Sequence, residues 1–136
     1  MSNDKFIALS LPNMAGNEWK YVKDCLDTGW ISSVGSYVTK FEQMVADFAG
    51  AKYGIAAVNG TAALHISLLL SGVKQHDYVI LPNLTFVASA NSIKYLGAEP
   101  LLIDADPLLW QMDLDLLEDF LSTQTETKGK ELFYKK

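Results

Sequence analysis

Residues 53–65 read Tyr53-Gly54-Ile55-Ala56-Ala57-Val58-Asn59-Gly60-Thr61-Ala62-Ala63-Leu64-His65. An apolar run of strand length, 53–58, gives way within two residues to a helix-forming run, 62–70. The break falls on Asn-Gly-Thr, residues that turn a chain or cap a helix. A buried strand handing over directly to a helix is the building unit of an α/β layered protein.

The pattern repeats outward from there. Residues 77–81 form a second apolar run ended by Pro82, and a helix is expected from about 85 to 95, stopped by Gly97. Residues 100–103 form a third strand closed by Asp104. Asp113 or Asp115 then caps a final amphipathic helix through Leu121. The βαβαβα order predicts parallel strands covered by helices. Upstream the texture is helical. Asn17 is placed to cap a helix over 18–27, with Trp19, Val22 and Leu26 on one face and Gly29 as its stop. A second helix spans about 37–48, striped by Val38, Phe41, Val45 and Phe48 and closed by Gly50. The last stretch, 122–136, is polar and without helical period, and is expected to be a loop.

Composition removes several functions. The 136 residues are 49% hydrophobic and 20% charged, which excludes a disordered acidic chain. No apolar run approaches the roughly 20 residues of a membrane-spanning helix, and the longest, 62–70, is broken by His65 and Ser67. Asp4 and Lys5 stand where a signal peptide would place a basic-then-apolar block, so a cytoplasmic protein is expected. The net charge is −5, and all eleven basic residues are lysines. The one basic cluster, Lys128, Lys130, Lys135 and Lys136, is interrupted by Glu131, so no nucleic-acid face is expected. Without arginine, no guanidinium fork can clamp a phosphate. The single cysteine, Cys25, excludes an internal disulfide and is read as packing. His65 and His76 share no ligand spacing with each other or with the acids, so no metal site is expected.

Three junctions carry candidate chemistry. At Asn59-Gly60-Thr61-Ala62 the first helical turn points unpaired backbone N–H groups outward at the positive end of the helix dipole. Thr61 adds a hydroxyl, and Gly60 keeps side-chain bulk away, so phosphate is the natural ligand. The plain alternative is a helix capped by Thr61. The segment is neither a Walker loop nor a dinucleotide fingerprint, since both need glycines and partners it lacks. At Pro82-Asn83-Leu84-Thr85-Phe86 the chain leaves a strand at the carboxyl edge, where open α/β sheets bind ligands. Phe86 is there either a platform for a flat heterocycle or a core residue. In Gly29-Trp30-Ile31-Ser32-Ser33-Val34-Gly35 the tryptophan must pack on its own core, a partner subunit or a ligand ring, and its own core leads. Asp104 and Asp106 fit turn caps better than ligand contacts.

Taken in order, Gly16-Asn17-Glu18, Thr28-Gly29-Trp30-Ile31-Ser32, Phe41-Glu42, Asn59-Gly60-Thr61-Ala62-Ala63-Leu64, Gly72-Val73, Thr85-Phe86-Val87-Ala88 and Gly97-Ala98-Glu99-Pro100 resemble the N-terminal third of the DegT/DnrJ/EryC1/StrS aminotransferases. The resemblance runs from about residue 7 to 121. Its wording around 17–22 and 28–34 is nearest the branch that makes 4-amino sugars for legionaminic-acid-type and bacillosamine-type glycans.

The resemblance implies the N-terminal portion of a three-layer α/β/α large domain of fold type I. Within it, 1–50 would be an N-terminal helical segment, 51–121 the βαβαβα unit and 122–136 a polar tail. It implies pyridoxal 5′-phosphate (PLP) as cofactor, with Gly60, Thr61 and Ala62 on its phosphate and Phe86 against its ring. Gly29, Trp30, Ile31 and Ser32 would line the sugar-nucleotide side of a pocket at a homodimer interface. The reaction implied is amino transfer from glutamate to a nucleotide-linked 4-keto-6-deoxy sugar in surface glycan biosynthesis. The Schiff-base lysine of such enzymes is expected beyond this chain's C-terminus, because none of the eleven lysines stands in the matching context. The chain alone is therefore expected to be inactive and to leave apolar faces and strand edges uncovered. The alternatives are a non-catalytic regulatory or dimerisation module of the same fold, or an unrelated nucleotide-binding α/β domain.

Overall fold

The computed structural model describes residues 6–135. Asp4, Lys5 and Lys136 lie outside the described residues. The chain divides into two compact units between Ala56 and Ala57.

The first unit is built on two helices, α1 (Glu18–Thr28) and α2 (Ser36–Ala49), closed by Gly29 and Gly50 in left-handed geometry at φ 73° and 64°. The expected cap at Asn17 does not form. Its φ/ψ of −97°/12° carries no side-chain bond, and the Glu18 carboxylate takes the Gly16 N–H instead, at 2.9 Å. The helices meet through polar and aromatic groups rather than through the apolar stripes. Tyr21 and Tyr37 stack at 5.3 Å, and the Tyr37 hydroxyl donates to Asp24 at 3.0 Å. That hydrogen bond holds the Tyr37 phenol above its usual range. The stripes themselves stand largely exposed, Trp19, Leu26, Phe41 and Phe48 among them. Large apolar side chains exposed along a helix face are the kind that another surface covers.

The segment after α2 is a correction to the sequence reading. Residues 53–58 pair with no strand among the described residues, and Tyr53, Ile55 and Val58 are exposed. A strand needs a neighbour for its ladder, and this unit offers none. What fixes the segment is α2. The Ala56 N–H donates to Glu42 Oε1 at 2.8 Å, and a Cβ on Gly54 would lie 2.3 Å from the Glu42 carbonyl oxygen.

The second unit opens with α3 (Gly60–Leu70), followed by β1 (Tyr78–Pro82), α4 (Val87–Lys94), β2 (Glu99–Ile103) and α5 (Leu114–Gln124). β1 and β2 are parallel, with Tyr78 opposite Glu99 and Pro82 opposite Ile103. Alternation along β1 sorts its two faces. Leu81 packs with Ile93 and Ala98, joined by Val79, Leu68 and Ala90 of the strand and the two covering helices. On the opposite face Tyr78, Ile80 and Leu101 line a cavity of about 610 Å³ together with Phe120 and Leu121 of α5. The order helix, sheet, helix across these faces gives the three layers expected. Asp113, not Asp115, caps α5, accepting the N–H groups of Asp115 and Leu116.

The last residues are not the expected loop. α5 runs to Gln124, and β3 (Thr125–Lys128) and β4 (Glu131–Tyr134) form an antiparallel hairpin turning at Gly129, φ 68°. The hairpin is anchored by rings. Tyr134 sits edge-on to Tyr78 at 5.3 Å and tilted against Phe120 at 5.6 Å.

Because the obstacle at Gly54 is backbone, Gly54→Ala is expected to destabilise the protein by about 1–3 kcal/mol. Urea unfolding followed by far-UV circular dichroism measures it, and an unchanged midpoint contradicts the close approach.

Candidate functional site

The start of α3 in the second unit is set by Asn59. Its backbone is extended (φ −164°, ψ 172°), and its side-chain oxygen accepts the Ala62 N–H at 2.9 Å while its carbonyl accepts Ala63 N–H at 3.1 Å. The cap is therefore Asn59 rather than Thr61. The consequence for chemistry is direct. With Ala62 engaged, the backbone N–H groups of Gly60 and Thr61 have no partner among the described residues, and neither has the Thr61 hydroxyl. A Cβ built on Gly60 meets nothing within 4 Å, so the space beside Gly60 is open. Three neutral donors at the positive end of an 11-residue helix suit a phosphate-sized anion without any fixed cation.

Helix α3 ends where β1 is about to begin and α4 starts where β1 has ended. α4 packs on β1 and β2 and starts at their carboxyl edge, while α3 packs against α4, its Leu68 joining the Leu81 cluster. His65 of α3 meets Tyr95 at the end of α4 edge-on, 5.7 Å apart, which ties the two helices together. Phe86 immediately precedes α4 at that edge and is 79% exposed. A core role for it is thereby set aside. An exposed phenyl ring here is available to a flat ligand. Thr85 and Ser89 hydroxyls share a hydrogen bond of 3.2 Å beside it.

The same edge carries the loop after β2, whose Trp110 the sequence reading did not weigh. Asp104 and Asp106 do cap turns, Asp104 Oδ1 taking Ala105 N–H and Asp106 Oδ1 taking those of Leu108 and Leu109. That loop also holds Trp110 at φ 60°. A bulky residue in left-handed geometry carries a cost of order 1–3 kcal/mol, which no composition signal announces.

Gly29, Trp30, Ile31 and Ser32 belong to the first unit. Gly29 donates to Leu26 at 3.3 Å as the left-handed stop of α1, and Ile31 N–H bonds back to the Gly29 carbonyl at 3.2 Å. The Trp30 ring lies over Gly35, whose φ of 150° and lack of a Cβ let Cε3 stand 3.6 Å from where a Cβ would be. Trp30 is nevertheless 58% exposed, so its own core is not where it packs. Ser32 is exposed.

An α/β layer whose helix α3 starts with unpartnered N–H groups narrows the class, and comparison with known proteins completes it. Residues 12–129 match the DegT/DnrJ/EryC1/StrS aminotransferase family, and the chain belongs to that family. It is 45% identical to a GDP-perosamine synthase of Caulobacter vibrioides over 93% of this chain and 34% of the relative. It is 40% identical to a UDP-2-acetamido-2-deoxy-3-oxo-D-glucuronate aminotransferase of Pseudomonas aeruginosa, over 81% and 33%. Among solved structures, a Streptococcus pneumoniae protein assigned as a sugar aminotransferase, in its PLP-form, superposes with a TM-score of 0.75 at 32% identity, over 83% of this chain and 29% of that one. The fold is thus that of the fold type I PLP-dependent aminotransferases, and the chain spans about a third of the length of the relatives it matches. Among the described residues no helix is long and apolar enough to cross a membrane.

Since the Asn59 side chain caps the N-terminus of α3, Asn59→Ala is expected to lower stability by about 1 kcal/mol while Asn59→Asp retains it. Chemical unfolding of the two variants checks this, and equal losses in both contradict the cap.

Proposed function

We propose that the chain is the N-terminal part of the PLP-binding large domain of a nucleotide-sugar aminotransferase, and that it carries the cradle for the coenzyme phosphate. The observation that supports this most is the pair of free N–H groups on Gly60 and Thr61 beside a free Thr61 hydroxyl. Thr61 donates its hydroxyl and N–H to the phosphate, and Gly60 donates its N–H and leaves room for the approach. Ala62 contributes by its small side chain and, where Asn59 yields, by a third N–H. Phe86 covers one face of the pyridine ring and excludes water there. When bound, PLP supplies an electron sink for the carbon that gains or loses the amino group.

Gly29, Trp30, Ile31 and Ser32 are proposed as the sugar-nucleotide wall, with the exposed indole and Ser32 hydroxyl as its contact groups. The substrate read from the resemblance is a nucleotide-linked 4-keto-6-deoxy sugar, with glutamate as amino donor, a homodimer as the working unit, the cytoplasm as its place and surface glycan synthesis as its role. A GDP-perosamine synthase among the relatives favours a sugar carried on a nucleoside diphosphate. None of the lysines in this chain occupies the matching context for the proton transfers at the reacting carbon, so the chain alone binds the coenzyme without turnover.

Each hydrogen bond to a charged group contributes roughly 1.5–3 kcal/mol. Thr61→Val keeps shape and the N–H but removes the hydroxyl, so PLP affinity, followed by its visible absorbance, is expected to fall about tenfold or more. Inorganic phosphate should compete with PLP for the parent chain. An unchanged affinity in Thr61→Val together with no competition by phosphate rules the cradle out.

A further inference from the structure

The loop between β2 and α5 closes on itself. Asp106 donates its N–H to Gln111 at 2.8 Å and accepts Trp110 N–H at 2.9 Å, while Asp113 N–H bonds to the Asp104 carbonyl at 2.9 Å. Ala105 bridges Met112 across the neck. The Asp106 carboxylate, on the N–H groups of Leu108 and Leu109, fixes the tip. This frame holds Trp110 at φ 60°, a geometry that glycine or asparagine takes at little cost and tryptophan does not. The indole so held is 68% exposed and lines a cleft of about 370 Å³ with Asn83, Leu84, Asp104, Ala105 and Pro107. Asn83 follows β1 and Asp104 follows β2, so the cleft opens at the carboxyl edge from which Phe86 also rises.

The lining chooses among ligands. The Asn83 carboxamide has no partner among the described residues, and each aspartate engages only one of its two oxygens. Carboxylates repel a diphosphate and accept from hydroxyls. An indole face offers an apolar plane. A plane flanked by acceptors matches a pyranose ring, which presents C–H groups on one face and hydroxyl donors at its rim. We propose that Trp110 is the platform that selects the sugar ring of the substrate, with Asn83 and Asp104 reading its hydroxyls. This rests on the nucleotide-sugar reading above.

The test is calorimetric titration of the chain with GDP-mannose and, separately, with GDP, PLP binding being followed by absorbance in the same preparations. Trp110→Gly relieves the left-handed geometry, so its melting temperature is expected to stay level or rise. Its affinity for GDP-mannose is expected to fall about tenfold, the most a stacked ring contributes, with GDP binding unchanged. Trp110→Phe, which keeps a ring, should retain most of the difference between the two probes. Loss of both ligands alike would place a nucleobase on the indole, and loss of neither would mean no contact. Absence of GDP-mannose binding by the parent chain counts against the platform as well, so each of these results overturns the proposal. Failure of PLP to bind while Trp110→Gly still discriminates would sink the coenzyme cradle and spare this inference.

Discussion

The hydrogen bond from Ala62 N–H to the Asn59 side chain decides what this chain can offer a ligand. A helix start has more N–H donors than it has partners for, and which of them is satisfied internally determines where an anion can dock. By taking the third donor, Asn59 starts α3 and leaves the N–H groups of Gly60 and Thr61 without an internal partner among the described residues. The absence of arginine throughout the sequence makes this arrangement more telling. A phosphate held here is held by dipoles, backbone N–H and one hydroxyl, whose geometry is fixed before the ligand arrives.

The rest of the second unit serves to aim that edge. Parallel pairing of β1 and β2 forces the connecting helix α4 to run back along the sheet, so its start lies at the carboxyl ends of the strands. Leu81, Ile93 and Ala98 lock α4 to the sheet, and the ring contact of His65 with Tyr95 locks α3 to α4. Sequence alternation on β1 then assigns the other face to α5 and the aromatic hairpin. Phe86 is consequently placed by topology at the start of α4, Thr61 stands in the first turn of α3, and Trp110 stands in the loop between β2 and α5.

Much of this was legible before any coordinates. Gly29, Gly50 and Gly97 end their helices where the sequence says they should, and the α–β alternation after residue 59 follows from runs bounded by Pro82 and Asp104. Three features were not legible, each for a physical reason. The run 53–58 has strand composition, but a strand is defined by a neighbour, and composition cannot report one. The hairpin 125–134 hides in a polar tail because only Leu132, Phe133 and Tyr134 are apolar, and its anchor is a ring contact with Tyr78, more than fifty residues earlier. The strained Trp110 is invisible because its φ is imposed by Asp106 and Asp113 hydrogen bonds, not by its own preference. At the junction the plain alternative of Thr61 as cap falls, since Asn59 and Thr61 both satisfy the composition rule and only the backbone tells them apart.

The first unit shows the same logic from the side of what is uncovered. Apolar stripes on α1 and α2 were correctly located, yet the two helices join through Tyr21, Tyr37 and Asp24 and leave the stripes exposed. A stripe fixes which face seeks burial, not what buries it.

The central claim is that the coenzyme phosphate docks on Gly60 and Thr61. Its most direct test is two-dimensional ¹H–¹⁵N correlation spectroscopy of the labelled chain, with PLP added stepwise. The account predicts that the Gly60 and Thr61 amide protons move downfield more than any others as they gain a charged acceptor. Saturable shifts centred on another segment, with these two amides unmoved, would contradict it.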